Sequence, residues 1–194
     1  DFSDGDFTLN PTWSGDDTHY LINGDGQLQL TNTAPSGADT SFLTISFASI
    51  SLDNKEWQFW LKQSFSGSAN NYGRIWLACD NVDPTASGAE GYYLQLGEAL
   101  SDDAIELFHS IGGTTTSVCR GTDGLIATSF DMRIRVRRDG AGLWSIDIDE
   151  TGGYDFVSQT SGSNTSVTNT NHISVEARYS GGDADNFYYD DICC

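Results

Sequence analysis

Met132-Arg133-Ile134-Arg135-Val136-Arg137-Arg138-Asp139-Gly140-Ala141-Gly142-Leu143-Trp144-Ser145-Ile146-Asp147-Ile148-Asp149 reads as a β-hairpin. Side chains on a strand alternate between its faces, so Met132, Ile134 and Val136 share one side while Arg133, Arg135 and Arg137 share the other. The second arm repeats the pattern, with Trp144, Ile146 and Ile148 apolar and Ser145, Asp147 and Asp149 polar. The Gly-rich stretch between the arms supplies the turn. Two readings compete for the arginine face. One is a positive stripe that grips an anionic sugar polymer through carboxylate or sulfate contacts. The other is a cross-strand ladder with Asp147 and Asp149, and it is preferred because the very next strand supplies the acidic partners.

Outward from this hairpin the same alternation recurs over residues 27–31, 42–47, 56–62, 72–79, 91–97, 104–109, 115–120 and 172–179. Turn residues separate the runs, among them Asn23-Gly24-Asp25-Gly26 and Pro35-Ser36-Gly37. With no repeat period and no linker, short strands in this number predict two stacked antiparallel sheets in one domain spanning residues 1–194. Helix is expected to be minor, because Thr, Ser, Gly, Asn, Asp and aromatic residues dominate and there is one Met.

Nine Lys and Arg stand against 28 Asp and Glu, a net charge of −19 that repels nucleic acid and anionic membrane surfaces. Membrane insertion is not expected either, because no apolar run reaches the length of a span. No leader segment is visible, so the chain is read as mature or excised from something larger. The acid is mostly Asp, 22 against 6 Glu, the carboxylate that turns and loop-built calcium sites favour, and this fits a secreted or cell-surface protein. Cys79 and Cys119 each end a strand-like run, leaving a bridge between them open in an oxidising compartment. Cys193 and Cys194 can pair with each other, with another chain, or with nothing. No Cys-x-x-Cys zinc spacing exists, and the sequon Asn164-Thr165-Ser166 matters only in a glycosylating host.

Catalytic signatures are weak. Asp147-Ile148-Asp149-Glu150 invites comparison with the Glu-x-Asp-x-x-Glu strand of laminarinase-like glycoside hydrolases, but Ser145 falls where the nucleophile would stand and Glu150 comes one residue late for the acid. The motifs of jelly-roll alginate lyases are not evident, and His19, His109 and His172 lie far apart in the chain. No enzyme is expected. The ends are more suggestive: Asp1-Phe2-Ser3-Asp4-Gly5-Asp6-Phe7 and Phe187-Tyr188-Tyr189-Asp190-Asp191-Ile192 interleave aromatics with carboxylates. If the first and last strands lie side by side, Asp4, Asp6, Asp190 and Asp191, with Asp1, converge and require a cation, for which calcium is the usual choice. Solvated acidic ends are the alternative. With the metal present, chelation should lower the melting temperature.

For ligand contact, parity places Ile75, Leu77 and Cys79 on the core side of their strand and sends Tyr72, Arg74 and Trp76 outward. Tyr93 and Gln95 oppose Tyr92, Leu94 and Leu96 and join that outward group. Trp57 and Phe59 share one face and Trp60 takes the other. Sugar C–H faces stack on rings while hydroxyls find polar side chains. Tyr72, Arg74, Trp76, Tyr93 and Gln95 are therefore the candidate contacts for a polysaccharide or glycan, and core packing is the competing role for any one ring.

Taken along the chain, residues 1–10, Thr12-Trp13-Ser14-Gly15-Asp16, Asn23-Gly24, Gln27-Leu28-Gln29-Leu30, residues 56–60 and 91–97, Asp103-Ala104-Ile105-Glu106-Leu107, Arg120-Gly121-Thr122-Asp123-Gly124, residues 133–139, Trp144-Ser145 and residues 187–192 resemble a concanavalin A-like jelly roll. The resemblance is to domains of large secreted and cell-surface proteins of Bacteroidota. It implies a non-catalytic module, similar to laminin G-like and carbohydrate-binding domains, with a structural calcium between terminal strands. The rival reading is a structural or self-associating surface module acting through exposed sheet edges and the terminal cysteines.

Overall fold

The arginine hairpin forms in the register its alternation requires, with Arg135 opposite Asp147 and Val136 opposite Ile146. A computed structural model describes residues 2–9, 11–33 and 37–194. Asp1, and Pro35 and Ser36 of one expected turn, lie outside the described residues. Strands are numbered in chain order. A front sheet of seven strands runs β1 (Trp13–Gly15), β4 (Asp39–Ser51), β13 (Asn169–Tyr179), β6 (Tyr72–Cys79), β7 (Gly91–Leu96), β8 (Ile105–Ile111) and β9 (Thr114–Arg120). A back sheet of seven runs β12 (Val157–Ser163), β11 (Leu143–Asp149), β10 (Phe130–Arg138), β5 (Lys55–Gln63), β14 (Phe187–Cys193), β3 (Leu28–Leu30) and β2 (Tyr20–Ile22). Neighbouring strands pair antiparallel, and the result is the two-sheet sandwich that the alternation predicts.

The inward faces make one core. Trp57 of β5 stacks on Trp144 of β11 at 5.5 Å, and Tyr92 of the front sheet meets the same Trp144 ring at 4.5 Å. Trp144 is fully buried, so this three-ring contact ties the two sheets together through area that leaves water. Trp60 points the other way, as alternation requires, and donates from Nε1 to Asp131.

Three differences from the sequence reading have physical causes. First, β1 and β14 do not lie side by side: β1 is an edge of the front sheet, while β14 sits between β5 and β3 in the back sheet. Second, β12 was invisible to alternation because Val-Ser-Gln-Thr-Ser-Gly-Ser is an edge strand with little buried apolar surface. It nonetheless approaches the front sheet so closely that a Cβ at Gly162 would overlap the Val118 carbonyl oxygen. Third, the β6–β7 register shifts between Trp76 and Ala78. Such a bulge resets parity, so Ala78 enters the main core and Cys79 turns to the outer face. Cys79 and Cys119 end three strands apart in the front sheet, roughly 14 Å by strand spacing and beyond disulfide reach, and all four thiols are free. Among the described residues, no helix is long and apolar enough to cross a membrane.

Opposite the bulge stands Gly91 at φ +153°, where a Cβ would overlap the Ala78 carbonyl oxygen. Only glycine fits both the backbone and the space. Gly91→Ala should lower stability by about 2–3 kcal/mol, read as a reduced urea midpoint with an unchanged slope.

Candidate functional site

On the outer face of the front sheet, Glu176 of β13, Arg74 of β6 and Gln95 of β7 occupy one cross-strand rung. The rung is bonded along its length. Arg74 donates from Nη1 to Glu176 Oε1 at 3.2 Å and from Nε to Gln95 Oε1 at 3.0 Å. Trp76, one rung along, donates from Nε1 to Glu176 Oε2 at 2.8 Å, so both oxygens of this buried carboxylate are held. The Arg74 guanidinium lies 4.8 Å from the centre of the Tyr72 ring and 4.6 Å from that of Tyr93. Removing Arg74 would strand Glu176 without its cation, at a cost of about 3–5 kcal/mol.

Beside the rung, Trp76 and Tyr93 meet at 4.6 Å and Tyr93 stacks on Phe108 at 5.5 Å. With Cys79 and Ala89 they form a second, smaller apolar cluster. Its roof is the loop of residues 80–90, folded back over the sheet. Asp80 accepts the Glu90 N–H, the Ala89 carbonyl accepts the Ser110 hydroxyl, and Glu90 accepts the Gly112 N–H. Within the loop, Asp83 takes both the N–H and the hydroxyl of Thr85. Burial pushes the Cys79 thiol up to about 12 and raises the Tyr93 phenol, which the nearby Arg74 cation opposes.

Between roof and rung lies a cleft of about 410 Å³. Its walls include Tyr72, Arg74, Trp76, Tyr93, Thr115 and Arg178. The structure therefore brings the five residues singled out from the sequence to one place, with Gln95 joined through Arg74. Two of them differ in exposure from the sequence reading: Trp76 and Tyr93 do face outward, but each is 3 % exposed because the 80–90 loop covers them. They brace the cleft, and Tyr72 is the half-buried ring at its rim. Sequence reasoning missed Glu176, Arg178 and the roof. Charges alternating with apolar residues in Val175-Glu176-Ala177-Arg178-Tyr179 were the available signal for the first two, while the roof had none.

The other charged candidates resolve into structural pairs. Arg135 and Arg137 both bind Asp147 Oδ2, at 2.8 and 2.7 Å, which is the ladder. Asp149 is not part of it; its carboxylate holds the Thr151 N–H and hydroxyl and the Asp155 N–H, and these bonds lower its pKa. Arg133 instead reaches Asp191 at 2.6 Å. Of the calcium cluster expected at the chain ends, Asp1 lies outside the described residues, and the other four carboxylates make contacts of their own. Asp4 and Asp6 are turned to amides of their own loop, Asp190 accepts the Asp191 N–H, and Asp191 is held by Arg133. Among the described residues, no three His, Cys, Asp or Glu side chains are placed to hold a metal ion. Calcium takes six to eight oxygens, and Asp4, Asp6, Asp190 and Asp191 as arranged do not fit it.

Two antiparallel sheets of seven strands match the legume-lectin-like class of β-sandwich, as solved structures of the same fold show. The chain is similar to the carbohydrate recognition domain of Emp47p, at 13 % identity, TM-score 0.64, and 93 % and 84 % coverage of this chain and that one. It is similar to the exoplasmic/lumenal domain of VIP36, solved with Ca2+ and mannose, at 13 % identity, TM-score 0.62, and 91 % and 79 % coverage. It is similar also to a legume lectin-like domain from Entamoeba histolytica, at 10 % identity, TM-score 0.62, and 96 % and 89 % coverage. No family model matches the chain, and no curated protein matches it by sequence. None of the three structures is described as a Bacteroidota surface protein, so that part of the resemblance gains no support from them.

Because Arg133 is buried, Asp191→Asn should cost about 1–3 kcal/mol. The loss should be the same with and without EDTA, and EDTA alone should leave the melting temperature unchanged, as differential scanning calorimetry would read.

Proposed function

We propose that this chain is a non-catalytic carbohydrate-binding module that takes a polysaccharide or glycan in the front-sheet cleft, outside the cell or within a lumen. The observation that carries this is the bonded Glu176–Arg74–Gln95 rung beside Tyr72, a fixed polar row next to a ring at the rim of an open cleft. That combination suits a sugar, because its hydroxyls take oriented polar partners and its C–H faces stack on an aromatic surface. The lectin domains that share the fold add support, since the VIP36 domain was crystallised with mannose and with a Man3GlcNAc glycan. Glu176 is the one carboxylate lining the cleft, and both its oxygens are already held, so it makes no pair of the kind glycosidic cleavage uses. Calcium has support from the neighbours' crystallised forms and not from the donors among the described residues.

Isothermal titration against a panel of oligosaccharides should give binding that Tyr72→Ala weakens by about tenfold, the ~1.4 kcal/mol that a stacked ring supplies. Thr115→Trp, at an exposed wall position, should abolish it by filling the cleft. Binding that survives both variants would move the site elsewhere. Absence of binding to any glycan would favour a structural or self-associating module, and new reducing ends on long incubation would indicate an enzyme.

A further inference from the structure

Six of the seven arginines in this chain hold a carboxylate: Arg74, Arg120, Arg133, Arg135, Arg137 and Arg138. Arg178 is the exception, its side chain making no ion pair or hydrogen bond among the described residues. It lies on the wall of the cleft, directly across the strand pair from Tyr72 and two residues along β13 from Glu176. In a protein with 28 acidic side chains, a guanidinium left without a carboxylate is a conspicuous omission. Two guanidiniums and one carboxylate line the cleft, so the side chains on its walls carry a net positive charge although the molecule's is strongly negative.

Resting on the carbohydrate reading of this cleft, we infer that its ligand is an acidic saccharide, whose carboxylate or sulfate is bound by Arg178 while its ring lies against Tyr72. Side chains directly opposite on paired strands stand about 4.5–5.5 Å apart at Cβ. That separation suits a sugar ring on Tyr72 with its exocyclic anion reaching the Arg178 fork, which matches a carboxylate or sulfate in two parallel hydrogen bonds. Arg74 adds its field to the same wall, with its Nε and Nη1 already given to Gln95 and Glu176. The overall charge restricts the ligand further. A densely charged polyanion is repelled at long range, whereas an isolated acidic group in an otherwise neutral chain meets only the local field, because salt at 0.1 M screens charges beyond about 10 Å. The ligand class is therefore a sparsely acidic glycan.

The test is an array of matched oligosaccharide pairs at 0.15 M salt, each neutral backbone set beside the same backbone carrying one uronate carboxylate or one sulfate. The two acidic arms separate carboxylate from sulfate recognition. Binding should favour the acidic member of a pair by tenfold or more, and Arg178→Gln should erase that preference while leaving the melting temperature unchanged. Lys62→Gln removes the same charge from the back sheet and should leave the preference intact. Equal binding to both members of every pair, or a preference that survives Arg178→Gln, overturns the inference while leaving a carbohydrate module standing. Loss of the preference in Lys62→Gln as well also overturns it, by making the effect one of net charge. No binding anywhere on the array removes the carbohydrate reading itself.

Discussion

Buried carboxylates need partners, and this chain has few cations to give them: nine Lys and Arg against 28 Asp and Glu. That scarcity orders the structure on both outer faces. On the back sheet, Asp147 gathers two arginines from the adjacent strand. On the front sheet, Glu176 is held by Arg74 and by the indole of Trp76. Elsewhere the acids do without cations by accepting backbone N–H groups, as Asp6, Asp83, Asp139 and Asp149 do in their turns. Much of the aspartate that suggested loop-built calcium sites thus shapes loops instead.

The Glu176 rung could not lie in its observed place on a plain two-layer sandwich without exposing its neighbours. Trp76 and Tyr93 are large and point away from the main core, and the 80–90 loop gives them a second, shallow core. This cover depends on the bulge in β6, which turns Cys79 outward beneath the loop, and the bulge depends on the absence of a side chain at Gly91. Packing and recognition are joined here: rings buried under the roof keep the polar row rigid, and a rigid row lowers the entropy lost when a flexible ligand is ordered.

Much of this was legible in the residues themselves. The limits of β6 follow from Tyr72-Gly73-Arg74-Ile75-Trp76-Leu77-Ala78-Cys79 read by alternation, and the arginine face of β10 meets the acidic face of β11 because the two strands are neighbours in sequence. The clasp imagined between the chain ends failed for the opposite reason. Asp191 is claimed by Arg133, 58 residues away, and no local pattern announces so distant a partner. Exposure was misread for Trp76 and Tyr93 because parity says which side of a sheet a ring takes, but not whether a loop will cover it.

The sequence by itself determined that the chain is a two-layer β-sandwich, which strands carry apolar and polar faces, and that Tyr72, Arg74 and Trp76 share one side of their strand while Tyr93 and Gln95 share one side of theirs. These are consequences of a period of two along each strand, a local property. Only the tertiary structure decided that β13 lies beside β6, delivering Glu176 to Arg74 and leaving Arg178 without a carboxylate in the same cleft. Strand order and long-range ion pairing arise from packing between segments far apart in the chain, and alternation carries no information about them.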